Sequence, residues 1–208
     1  VRLSKLRTVL KERDLDAVLI SSPENRRYLS GFTGSAGYLI ITQSETLLVT
    51  DFRYIEQARK QSPTFTIEKT SKGLSWFPKL VKDLLLKRIG FESNHMAVST
   101  LSALNKAIDE ASLSKDTQLV ESDNFLDEIR SVKYGDEISL LEQAISITDK
   151  ALDSIAPSIV AGITEKHVAW QLEKTMRELG AEGMAFDIIV GTGKNGALPH
   201  HLADDTVI

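Results

Sequence analysis

No cysteine occurs among the 208 residues. That removes disulfides, thiolate nucleophiles and cysteine-ligated zinc together, and it fits a reducing compartment. Long apolar runs are missing too: "GYLII" and "DAVLI" fall far short of the ~20 residues that cross a bilayer. Neither sign of charge dominates, since 25 Lys and Arg against 29 Asp and Glu leave a formal net charge of −4. Such a balance gives no basis for a general affinity for nucleic acid. The densest basic spots, Arg26-Arg27 and Lys79, Lys82, Lys87 and Arg88, read as solvated helix faces. No charged-then-apolar leader opens the residues, so the expectation is a cytoplasmic protein that binds neither membrane nor nucleic acid. What is present, 42% hydrophobic and 26% charged residues, suffices for one large domain or two modest ones with a real core.

The first segment, "RLSKLRTVLKERD", places Leu3, Leu6, Val9 and Leu10 on one face and predicts an amphipathic helix. "DAVLIS" is a short buried strand, and Ser22-Pro23-Glu24-Asn25 turns into a brief helical piece through Tyr28. "GYLIIT" and "TLLVT", joined by "QSE", predict a hairpin. Helical and strand-like segments then alternate through "FRYIEQARKQ", "TFTIEKT", "WFPKLVKDLLLK", "RIGFES", "TLSALNKAIDEA" and "TQLVES". That alternation argues for an α/β domain with a central sheet. The rhythm changes after "NFLDEIRSVKYG", which places a domain boundary within 122–132. From Asp136 to Ala156, the residues Ile138, Leu141, Ile145, Leu152 and Ile155 keep helical spacing, and Pro157 closes that helix. Thr164 caps a second helix, with Val168, Leu172, Met176 and Leu179 inward and Gly180 as the stop. "AFDIIV" predicts a strand leading into "GTGKNG".

Three tempting chemistries fail on context. "GTGKNG" has the glycine spacing of a dinucleotide loop, but such a loop must open a helix. Here Pro199 follows within a few residues and pushes Leu198 away from helical angles. "GFTGSAG" precedes a strand, and Ser35 lacks the flanking glycine at position 33 that a nucleophile elbow requires, so its glycines serve tight turns. "HHLADD" gathers His200, His201, Asp204 and Asp205, yet in an extended segment neighbouring side chains point to opposite faces. A metal site needs three or four convergent ligands, which these residues alone do not supply. One histidine acting as hydrogen-bond donor or acid/base at the rim of a site is the better reading. His95 and His167 read as surface or locally bonded residues.

Several separated motifs together resemble the pita-bread metallopeptidases that cleave beside proline, the Xaa-Pro dipeptidase (prolidase) and aminopeptidase P family. "YLSGFTGSAGYLIIT" and "TDFRYIEQA" are similar to that family's amino-terminal domain, and "RSVKYGDEISLLEQA" to its junction with the catalytic domain. "GITEKHVAWQLEKTMRELGAEGMAFDIIVGTGKNGALPH" resembles the catalytic domain's second helix, first strand and Pro-His element. The resemblance implies a creatinase-type α/β domain with a central mixed sheet over 1–130, then the first, incomplete part of an α+β pita-bread catalytic domain over 131–208. It implies two divalent metal ions (Mn, Co or Zn) in the complete enzyme, proline-containing peptides as substrates, and a homodimer. It also gives His200, directly after Pro199, the role of catalytic hydrogen-bonding residue, with His201 turned to solvent or rim. Arg53 reads as a salt-bridge residue and Tyr54 as a core one. The family's metal ligands lie downstream of the matched histidine, so these 208 residues are expected to hold neither metal pair nor cofactor and to be inactive alone. Two alternatives accompany this reading: a non-catalytic pita-bread module that binds proteins, and a creatinase-like amidinohydrolase.

Overall fold

The computed structural model describes residues 1–70, 73–122 and 124–208; Asp123, inside the expected boundary region, lies outside them. The chain divides into a unit of Val1–Val132 and a unit of Lys133–Ile208.

In the first unit helices and strands run in the order α1 (Arg2–Glu12), β1 (Ala17–Ile20), α2 (Pro23–Ser30), β2 (Tyr38–Thr42), β3 (Thr46–Asp51), α3 (Ile55–Gln61), β4 (Thr66–Thr70), α4 (Trp76–Asp83), β5 (Arg88–Phe91), α5 (Val98–Glu110), β6 (Gln118–Glu121) and α6 (Asp127–Ser131). The strands form one sheet of order β4-β3-β2-β1-β5-β6. β2 pairs antiparallel with both β1 and β3, while β1–β5, β3–β4 and β5–β6 are parallel. The chain therefore steps outward from β1 through the β2–β3 hairpin to β4, then crosses back and lays β5 and β6 on the other side.

Successive strand residues serve opposite faces, as the two-residue period demands. Val18, Ile20, Leu39, Ile41 and Leu48 join one cluster with Leu6, Leu10, Phe32 and Phe125. Ala17, Leu19, Ile40, Leu47 and Val49 join a second with Phe77, Leu80, Leu104 and Ile108. Helices α1, α2, α3 and α6 supply the first cluster and α4 and α5 the second, giving three layers. Strands covered on both faces are apolar without alternation, which is why "AVLI" and "YLII" are continuous runs. Each fully buried Leu or Ile contributes about 1.5–3 kcal/mol over an exposed one.

Two buried charges fasten the loops at the carboxyl edge of this sheet. The Glu92 carboxylate accepts from the backbone N–H groups of Ser21 (2.6 Å) and Ser22 (2.8 Å) and from Asn25 Nδ2 (2.6 Å). It thereby ties the turn after β1 to the end of β5. Arg26 donates to the carbonyls of Gly34 (2.6 Å) and Gly37 (2.7 Å) and so holds the glycine-rich segment against α2. In that segment Ser35 Oγ lies 2.6 Å from the Tyr54 hydroxyl. Tyr54 is only partly buried, packing its ring edge-on to Phe32, and Arg53 forms its ion pair with Asp51 at 2.7 Å.

The second unit contains α7 (Gly135–Ile155), a 3₁₀ turn at Ala156–Ser158, α8 (Glu165–Glu178) and a 3₁₀ turn at Gly193–Ala197. The two helices pack together, burying Ala151, Ile155 and Val168. The stripe of Ile138, Leu141, Ile145 and Leu152 keeps the expected helical spacing and stands 46–59% exposed. Two expectations fail here. Leu179, expected inward, is exposed as well. "AFDIIV" forms no strand, because a strand exists through its ladder and no partner occurs among the described residues; Phe186 and Ile189 are exposed.

Candidate functional site

The amino terminus of α8 is where the second unit gathers its polar chemistry. Thr164 caps the helix, its Oγ1 accepting from His167 N at 3.2 Å. The chain returns to this point near Ile208: Glu165 N donates to Thr206 O (3.0 Å), Lys166 N to Asp204 O (3.0 Å), and Ile208 N to Ile163 O (2.8 Å). A single antiparallel bridge joins Thr164 and Val207.

Glu165 has no exposed surface and sits at the centre of this closure. Its Oε1 accepts from Thr192 N (2.7 Å) and Asn195 Nδ2 (3.1 Å). Its Oε2 accepts from His201 Nε2 (2.6 Å) and, at 3.4 Å, from Asp204 N. Burial works to raise this carboxyl, but the donors from Thr192, His201, Asn195 and Asp204 outweigh it and hold the group at about 2. An ionised carboxylate only accepts, so the proton of a neutral His201 resides on Nε2. Asn195, itself buried, also reaches Thr206 Oγ1 at 3.2 Å. The 3₁₀ turn that delivers Asn195 depends on close backbone approach. A Cβ on Gly191 would lie 2.9 Å from Asn195 O, so a side chain there would force the turn open. "GTGKNG" is thus a tight turn that aims an amide at a buried carboxylate.

His200 is exposed in the turn after Pro199. His201 is the correction to the sequence reading: its side chain is 9% exposed and paired to Glu165, and does not face solvent. The two imidazoles do go different ways, but a turn closed by His201 N on Leu198 O (3.2 Å) separates them and not the alternation of an extended segment, and the inward one meets a carboxylate. Asp204 Oδ1 accepts from Thr206 N at 2.7 Å, and the Thr206 hydrogen bonds hold its carboxyl below the ordinary value. Asp205 is exposed, with Lys166 Nζ at 4.0 Å. His167 faces Gln171 on α8, and His95 lies in a turn of the first unit, its N–H on Glu92 O.

Glu165, His201 and Asp204 each offer a ligand atom within 4.8 Å of the others, enough to raise the question of a cation. The donor set answers it. Both Glu165 oxygens already face N–H groups, and Asp204 Oδ1 faces another. A cation would have to displace those bonds and sit among donors, so the cluster fits an anion held by N–H groups and does not fit a metal centre. Glu165 and Asn195 were missed from the sequence. The available signal was an acid at i on the stripe that continues with Val168 at i+3 and Leu172 at i+7.

Residues 2–132 match the Creatinase/Prolidase N-terminal domain, and residues 139–208 match Metallopeptidase family M24. Among curated proteins the chain is 37% identical, over its whole length, to 58% of the uncharacterized peptidase YqhT of Bacillus subtilis. It is 32% identical, over 98% of its length, to 55% of an Xaa-Pro dipeptidase of Pyrococcus horikoshii. Among solved structures, the Xaa-Pro dipeptidase from Bacillus anthracis superposes with a TM-score of 0.92 at 34% identity, covering 100% of this chain and 57% of that one. The X-Pro aminopeptidase from Thermotoga maritima gives 0.86 at 35% identity, covering 97% and 57%. The fold shared with these structures is the expected one, a creatinase-type α/β unit with a mixed sheet followed by the first part of a pita-bread domain. The chain spans little more than half the length of these relatives.

Proposed function

The chain belongs to the Creatinase/Prolidase N-terminal domain family, and on that premise we propose that it is the amino-terminal part of a metallopeptidase that hydrolyses Xaa-Pro bonds. The observation that carries the reading is the order of its parts: a creatinase-type unit, then the opening of the metallopeptidase unit, with His200 on a turn anchored beside it. Relatives named Xaa-Pro dipeptidase and X-Pro aminopeptidase support the substrate class. The complete protein acts as a cytoplasmic homodimer with two divalent metal ions, Mn, Co or Zn. Among the described residues no donor set fits such ions, the Glu165 cluster being filled by N–H groups.

What this chain contributes is position. Glu165 and His201 clamp the segment on one side of His200, and Pro199 stiffens it on the other. The His200 imidazole is left free to donate to the oxygen on which negative charge develops as the scissile carbonyl becomes tetrahedral. One preorganised donor of that kind is worth roughly 10²–10³ in turnover. In the complete enzyme, His200→Ala is expected to reduce kcat on an Xaa-Pro dipeptide or tripeptide by about that factor. His201→Ala should cost less in kcat and loosen the segment instead. The 208-residue chain, assayed beside it with Mn²⁺ or Co²⁺, should show no turnover. Equal, mild losses in the two variants would remove His200 from the mechanism; activity in the short chain would remove the dependence on downstream ligands.

A further inference from the structure

Two hollows of 420 and 390 Å³ adjoin at the carboxyl edge of the first unit's sheet, sharing Ala36, Gly37, Tyr38 and Thr100 as walls. Ser21 follows β1, His95 follows β5 and Tyr38 begins β2, so the second hollow opens where the strand order reverses about β1. In open α/β sheets that reversal leaves a crevice beyond the strand ends, the usual place for a ligand. Both volumes fall within the range of small-molecule sites.

The lining has a polar end and an aromatic end. Arg26 lines the polar end and is 2% exposed. Its terminal nitrogens meet only carbonyl oxygens, those of Ser21, Gly34 and Gly37, and its Nε has no hydrogen-bond partner. Among the described residues no carboxylate lies within ion-pair distance of it. Glu92, whose charge reaches Arg26, is already taken by Ser21, Ser22 and Asn25. Burying a guanidinium is costly, Glu24 and Glu92 offset that only from beyond ion-pair distance, and its planar set of donors suits a carboxylate. At the aromatic end, which the first hollow extends, the Tyr38 and Trp76 rings lie 5.5 Å apart at 37°, a surface for a flat apolar group. Asp51, the acid on that wall, is held on both oxygens by Arg53.

We propose that this cleft binds a small carboxylate with a flat apolar body, its charged group toward Arg26 and His95 and its body against Tyr38 and Trp76. None of these residues belongs to the segment that carries His200, so the site stands or falls independently of the peptidase reading.

Phenylacetate is a suitable probe, with phenylacetamide as its uncharged counterpart. Titrated into the 208-residue chain in a Trp170→Phe background, phenylacetate should change Trp76 emission saturably at millimolar concentration. Amide shifts should concentrate at Gly37, Tyr38, His95 and Thr100. Phenylacetamide should bind roughly tenfold or more weakly, the ratio for losing a charge-assisted hydrogen bond. His95→Ala should weaken phenylacetate several-fold without altering the unfolding midpoint, and Tyr38→Leu, which removes the flat ring, should weaken it several-fold as well. Arg26→Lys should weaken it as well, and because Arg26 also holds the glycine-rich segment, the other two variants decide the matter if that protein does not fold. Failure to saturate, equal affinity for acid and amide, shifts scattered away from the cleft, or unchanged affinity in both Tyr38→Leu and His95→Ala would each overturn the assignment.

Discussion

Replacing Glu165 by glutamine keeps the shape of the side chain and inverts part of its chemistry. The carboxylate accepts from four directions, whereas an amide presents two donors of its own to Thr192, Asn195, His201 and Asp204. Glu165→Gln should therefore raise the exchange rates of the Thr192 and Asp204 amides by roughly tenfold or more. Unchanged protection would mean that the backbone bridges alone hold the segment. The acid dependence has a definite sign. The folded group titrates at about 2, below its ordinary 4.5, so its contribution is complete above 4.5 and is lost as pH falls through about 2. The substitution should flatten the acid limb of unfolding in that window. His200 was reached only through the resemblance to the family's Pro-His element, and the anchor of its turn could not be read at all, since the partners of Glu165 lie 27 to 39 residues away. No periodicity reports a contact between a helix terminus and a distant turn.

Strands and their order of appearance were largely readable in the first unit, because runs such as "AVLI" and "YLIIT" lie between turn signals and are covered on both faces. What the residues left open was pairing: nothing local says that β5 returns to lie beside β1. Gly90 records that crossing. A Cβ there would strike Phe125 Cζ and come within 2.9 Å of Leu15 Cδ1, so β5 can pack beneath α6's approach only without a side chain. Gly90→Ala should destabilise the first unit by about 1–3 kcal/mol, the usual cost of overpacking, read as a lower midpoint in its urea unfolding. A neutral result would mean that Phe125 swings aside freely. "AFDIIV" shows the converse limit: strand-like composition is a property of the segment, while a ladder needs a neighbour.

Across the whole chain, burial is uneven. The first unit encloses two complete clusters, whereas the second leaves Ile138, Leu141, Ile145, Leu152, Trp170 and Phe186 exposed. Apolar surface of that extent promotes association. The 208-residue chain should bind an apolar dye and self-associate in sedimentation experiments, and Ile145→Lys with Leu152→Lys should weaken that association roughly tenfold. Association that ignores these substitutions would place the sticky surface elsewhere. The closure at the head of α8 has a further consequence, in chain entropy. The bonds to the Glu165 carboxylate span 27 to 39 residues. The expense of closing such a loop grows only with the logarithm of its length, so going from the nearest of these bonds to the farthest adds about 0.3 kcal/mol. Nearly all the entropy is lost at the first bond, and the later ones form almost without further loss. Thr192, Asn195, His201 and Asp204 therefore favour docking together, and loop closure alone gives the turn bearing His200 little reason to stay half-anchored.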